Sequence, residues 1–115
     1  MAIENGFVML VAGEGLGRGD DGLGRRLMAR FLHEVGGQRA LPEKITFINS
    51  GVKLVVKNSP VLEQIRHLTQ AGVEVAACGT CLEKFGLLDK VAVGRKTDMS
   101  TTVTTLAGAS RILSV

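Results

Sequence analysis

The stretch Phe7–Asp20, FVMLVAGEGLGRGD, decides how the chain is read. It opens on Phe7–Ala12, an unbroken apolar run without the alternation of a strand that has one wet face. That pattern belongs to a strand buried on both sides, as in the middle of a parallel sheet. A glycine-rich loop follows, and Asp20 then stands where a helix would be capped. Beyond it Leu23, Leu27, Phe31 and Val35 recur every four residues, Met28 and Leu32 widen the stripe, and Gly36-Gly37 ends it. Strand, glycine loop and helix make the first unit of an α/β protein.

The same grammar repeats outward from this unit. Ile45–Ile48, Val73–Ala77, Val91–Val93 and Arg111–Val115 are strand candidates. A second helix is predicted over Ser59–Ala71, with Ser59 as cap, Pro60 in the first turn, Gly72 as stop and Val61, Leu62, Ile65 and Leu68 as its buried stripe. Gly79–Phe85 reads as a short helix. Thr97–Ala107 is rich in β-branched threonine, which disfavours helix, yet Met99, Val103, Leu106 and Ala107 fall at helical spacing behind a capping Asp98. Alternating strands and helices predict right-handed crossovers, a parallel sheet, and ligands beyond the carboxyl ends of the strands. Four unusual segments fall at that edge: Gly13–Gly19, Asn49–Val52, Cys78–Cys81 and Gly94–Met99.

Composition narrows the function classes. The chain has 115 residues, of which 36 are Ile, Leu, Val or Phe. That is enough to build a core, and the length predicts one domain over residues 1–115 on the usual span of roughly 100–200 residues per domain. No apolar run approaches the ~20 residues of a membrane span, and Glu4 before the first run is unlike a secretory leader, so a cytoplasmic protein is expected. Fourteen basic residues against 11 acidic ones leave a net charge of +3, but Trp and Tyr are absent. Without stacking aromatics or a basic cluster, nucleic acid is not an expected partner.

The two cysteines form Cys78-Gly79-Thr80-Cys81. A disulfide closing so short a loop would remove little entropy from the unfolded chain, so the pair reads as chemistry rather than scaffolding. Cys78 ends a strand and opens a helix, where free backbone N–H groups favour a thiolate, and Cys81 follows one turn on. The alternative is a pair of buried cysteines acting as small hydrophobes. Zinc is not expected: one CxxC is half a tetrahedral site. His33 and His67, by helical rise, lie ~20 and ~12 Å from the sheet edge and read as solvated. Gly17, Gly19 and Gly22 make a formal GxGxxG, but Asp20 and Asp21 occupy the place of a pyrophosphate and would repel it. The loop reads instead as a tight cover for the edge, with Asp20 serving the backbone. Asn49-Ser50-Gly51 either presents polar groups to a ligand or forms a turn. The apolar Val52, Leu54, Val55 and Val56 after it suggest a lid or a subunit contact.

Gly17-Arg18-Gly19-Asp20, Phe47–Leu54 (FINSGVKL) and Cys78–Leu82 (CGTCL) together resemble the DsrE-like domain of YedF-type proteins, which are sulfurtransferase-like and associated with selenium metabolism. The resemblance continues through Phe85-Gly86-Leu87, Val93-Gly94 and Asp98-Met99 and covers nearly the whole chain. It implies a three-layer α/β/α sandwich with a five-stranded parallel sheet, and a sulfur relay in which a cysteine at the end of the third strand, here Cys78, carries a persulfide. Two departures stand out. YedF-type proteins usually carry a TusA-like domain ahead of this one, and Asn usually precedes the Met where this chain has Asp98.

The expected function is therefore a cytoplasmic sulfur-relay protein that needs no cofactor or metal. Cys78 and Cys81 would do the chemistry, with Gly17, Gly19, Asp20, Asn49, Ser50, Gly51, Gly79, Thr80, Asp98 and Met99 around the substrate. Its partners would be sulfur donor and acceptor proteins, a TusA-like protein among the candidates, and family resemblance points to a homo-oligomer. On helix position, Cys78 is expected to have the lower pKa and to load, with Cys81 resolving its persulfide to a disulfide. A reading from another class is a non-catalytic small-ligand-binding or redox-regulatory module, which a double cysteine substitution would leave working.

Overall fold

A computed structural model of the chain describes residues 2–115. Its strands are β1 (Ala2–Val11), β2 (Ala40–Phe47), β3 (Glu74–Cys78), β4 (Arg95–Thr97) and β5 (Arg111–Ser114). Its helices are α1 (Asp21–Gly36), α2 (Leu62–Gln70), α3 (Gly79–Lys84) and α4 (Met99–Ala107), with a 3₁₀ segment over Asn49–Val55. All strand pairs in the sheet are parallel, in the order β4-β3-β2-β1-β5. The steps from β1 to β4 run one way, so right-handed crossovers put α1, α2 and α3 on one face. The return from β4 to β5 puts α4 on the other. This is the three-layer sandwich the sequence predicts.

The two faces are unequal. Met9, Ile45 and Val75 align across the sheet, as do Val11, Phe47 and Ala77, and all belong to one core cluster with Met28, Leu32, Ile65 and Leu68 of α1 and α2. The opposite face carries Val8 beside Lys44 and Glu74, and Leu10 beside Thr46 and Ala76. Over it lies α4, whose buried residue is Thr102. Among the described residues no helix is long and apolar enough to cross a membrane.

Several element boundaries differ from expectation. The fourth strand is not Val91–Val93 but the polar Arg95–Thr97. Val91 instead makes an isolated antiparallel bridge to Val56, and Ala92 and Val93 donate to the Val55 carbonyl. Apolar residues there are drawn into the core, while the edge strand, wet on its outer side, needs none. Ser59 does not cap α2, which begins at Leu62; its hydroxyl accepts from the Val61 N–H at 3.3 Å in the turn before it. Leu23 and Leu27 are not core, being 49% and 43% exposed, and the inward residues are Gly24, Met28, Leu32 and Val35. The buried row Gly24, Met28, Leu32 and Gly36 is also spaced by four but lies one residue, about 100°, around the helix from Leu23 and Leu27, so glycine rather than leucine fills the inward position in the first turn. Val52, Leu54, Val55 and Val56 are neither lid nor exposed subunit contact; all four are buried in the main core.

Both aspartate caps hold. Asp20 accepts from the Leu23 N–H and Asp98 from the Thr101 N–H, each at 2.7 Å. The Thr101 N–H keeps the Asp98 carboxyl below its ordinary value, and the Arg95 guanidinium does the same for Glu74, helped by Lys44. A carboxyl whose folded pKa is depressed adds stability above the unfolded pKa, at about pH 4, and that stability is lost as pH falls through the folded value. Acid should therefore lower Tm, and Asp98→Asn, which keeps a cap but does not titrate, should fall less steeply below about pH 4 than the parent. Parallel Tm–pH curves for the two would count against this.

Candidate thiol site at the carboxyl edge of the sheet

Parallel strands deliver Val11, Phe47 and Cys78 to one edge, and the connections after them build the site. Cys78 is the last residue of β3 and the N-cap of α3, where the spacing places it. Its side chain is nonetheless only 3% exposed and belongs to the main core cluster. Cys81, one turn along α3, is partly exposed, and both thiols are free. The Cys81 sulfur accepts the Asn49 backbone N–H at 3.1 Å. Burial, and then the hydrogen-bonding neighbour Cys78, push the Cys81 thiol up, with the Asn49 N–H working against them.

The Asn49 turn is built to aim that amide. Asn49 adopts φ 50°, in the left-handed region, and its side-chain oxygen accepts the Ser50 N–H at 2.8 Å. Gly51 N–H then donates to the Ile48 carbonyl at 2.9 Å. Gly51 is required by crowding: a Cβ there would stand 2.5 Å from the Val11 carbonyl oxygen and 3.2 Å from the Gly13 nitrogen. Thus Asn49-Ser50-Gly51 is a turn, and that turn also presents a donor to sulfur.

The remaining predicted residues divide. Ser50 joins Gly13, Glu14, Gly15, Gly17, Asp21 and Arg25 around a polar cavity of about 310 Å³ beneath the glycine loop. Gly19 is exposed at that loop's tip with φ 123°, and the Asp20 carboxylate is taken up by the α1 cap. Gly79 lies under the Thr97 carbonyl, where a Cβ would approach it to 3.4 Å, and Thr80 is exposed on α3. Asp98 is turned to its own helix, and it lines a cavity with Lys44, Glu74 and Arg95 rather than with the thiols. Met99 is exposed. His33 and His67 are exposed, and line a cavity of about 420 Å³ between α1 and α2, away from either cysteine. Among the described residues, no three His, Cys, Asp or Glu side chains gather as metal ligands would.

One residue at the site was missed from the sequence. Lys53 places its ammonium 4.5 Å from the centre of the Phe85 ring and 3.6 Å from a Glu14 carboxylate oxygen. It therefore ties together the 3₁₀ segment, the end of α3 and the glycine loop. The available signal was the i,i+4 spacing of Cys81 and Phe85 on α3, together with a lone lysine inside an apolar run.

A parallel α/β sandwich with a CxxC at the carboxyl edge of its third strand defines the class of protein. The chain belongs to the DsrE/DsrF-like family, whose model matches residues 7–114. No curated protein matches the chain by sequence. Among solved structures it is similar to the YchN protein of E. coli, with TM-score 0.66 and 14% identity over 95% of this chain and 97% of that one. It is also similar to MTH1491 of Methanobacterium thermoautotrophicum, a protein of unknown function, with TM-score 0.67 and 15% identity over 100% of both chains. BT1422 of Bacteroides thetaiotaomicron, likewise of unknown function, gives 0.65 and 19% over 96% of each. At these identities the likeness is one of fold.

Proposed function

We propose that this chain, acting as one domain, is a sulfur-relay protein that carries sulfane sulfur as a persulfide on the Cys78–Cys81 pair. The observation that carries the reading is the contact of the Cys81 sulfur with the Asn49 N–H at 3.1 Å, beside a second free thiol. A backbone donor aimed at sulfur favours the anionic state that both attack and storage require, working against the burial and the Cys78 neighbour that push this thiol up. Gly17, Gly19, Ser50, Gly79 and Thr80 would form the rim an incoming sulfur donor meets, with the buried Gly51 shaping the turn behind it. Asp20 and Asp98 would contribute only through the helices they cap, Asp98 itself facing a separate cavity, while the exposed Met99 would meet a docking donor. Donor and acceptor are small proteins or thiols, a TusA-like protein being one candidate, in a reducing cytoplasm. Exposed Leu23, Leu27, Ile112 and Leu113 support a homo-oligomer. The link to selenium follows from the YedF-type resemblance.

The test is mass spectrometry after incubation with glutathione persulfide. The parent should gain about 32 Da per sulfur, and the Cys78→Ser/Cys81→Ser double variant should gain nothing. Equal loading of the double variant, or none of the parent, would remove the reading. The polar cavity lined by Glu14, Arg25 and Ser50 favours a second reading, a small-ligand module. In that case the double cysteine variant would keep full ligand affinity and biological function.

A further inference from the structure

We infer that Cys81 receives the sulfur and that Cys78 is the inner thiol that resolves it, the reverse of the order helix position suggests. The inference rests on the persulfide reading above and assigns its two sulfurs. Attack on a donor's outer sulfur requires the thiolate to meet the S–S bond nearly end on, so the receiving sulfur must be reachable. Cys78 is 3% exposed in a core that also contains fully buried Val52 and Leu82. No donor persulfide reaches it without opening that core. Cys81 is the partly exposed member of the pair, and its sulfur already accepts the Asn49 N–H.

Chemistry then follows from the layering. The Cys81 thiolate attacks the outer sulfur of R–S–SH, a bond forms between the two sulfurs, and R–S⁻ leaves with the bonding pair. A thiolate acceptor attacking the outer sulfur of Cys81–S–SH reverses this and regenerates Cys81. Without an acceptor, the Cys78 thiolate attacks the inner sulfur of Cys81–S–SH. The Cys78–Cys81 disulfide forms and HS⁻ departs with the bonding pair. The sulfane sulfur is reduced, the two thiols are oxidised, and a dithiol reductant resets the pair. A thiol pushed up in pKa is a strong nucleophile once ionised and a slow leaving group, so Cys81 suits storage. Loading should accordingly speed up as pH rises past the ordinary thiol range, about 8.5.

Two measurements test the order. In native parent protein, limiting iodoacetamide should alkylate Cys81 at least about tenfold faster than Cys78, read by peptide mass spectrometry. With glutathione persulfide, Cys78→Ser should still load and should hold the sulfur about tenfold longer than the parent, since nothing resolves it. Cys81→Ser should load at least about tenfold more slowly, and Cys81→Ala guards against a folding defect of one replacement. Faster alkylation of Cys78, or parental loading by Cys81→Ser and Cys81→Ala, would overturn the order while leaving the persulfide reading intact. Absence of loading in the parent would overturn both.

Discussion

Phe47→Ala is expected to cost about 3–5 kcal/mol, the range for removing a large aromatic from a core that collapses only in part. Phe47 is fully buried at the end of β2, with Val11 and Ala77 as its partners on the flanking strands. Total stabilities of domains are about 5–15 kcal/mol, so this change alone brings the fold near its limit. Because Phe47 shares the buried core cluster with Cys78, the void opens in the packing that covers that thiol. Urea unfolding should show the loss, and Cys78 should become easier to alkylate in the folded variant. A cost under about 1 kcal/mol would mean that the neighbouring side chains refill the space.

Gly51→Ala should be nearly as damaging, at about 3 kcal/mol, through overpacking against atoms that are not free to move. The added Cβ would lie 2.5 Å from the Val11 carbonyl oxygen. That oxygen accepts the Ile48 N–H at 3.0 Å, so retreat of β1 would break the link that holds the Asn49 turn to the sheet. Loss of the turn would misdirect the Asn49 amide and remove the donor to Cys81. Gly17→Ala is the comparison. Its φ is 80° but no atom lies within 4 Å of its added Cβ, so only backbone strain of about 1–2 kcal/mol is expected. Equal losses for the two variants, measured by urea unfolding, would show that conformation rather than contact is what Gly51 supplies.

Local chemistry made much of this fold legible. The unbroken apolar run Phe7–Ala12 marked a central strand because a strand covered on both faces has no polar side to alternate. Asp20 and Asp98 marked two helix starts because a carboxylate three residues before an orphan N–H is the local solution for that donor, whatever lies around it. CGTC after an apolar strand marked the edge that carries the two thiols. The edge strand Arg95–Thr97 escaped notice for the opposite reason: exposed polar residues can pair through their backbone without leaving a pattern in side-chain type. Lys53 escaped because its partners, Glu14 and Phe85, are 39 and 32 residues away in sequence.

Four of the five strands, the four helices, their alternation and hence a parallel sheet with the thiols at its edge were determined by sequence alone, since patterning, caps and breakers within a few residues mark each element. Only the tertiary structure decided which cysteine faces solvent and that Val52–Val56 is core rather than lid. It also decided that Leu23 and Leu27 point outward. Burial is set by what long-range packing brings against a side chain, and two cysteines three residues apart carry no local mark of which one the core will cover.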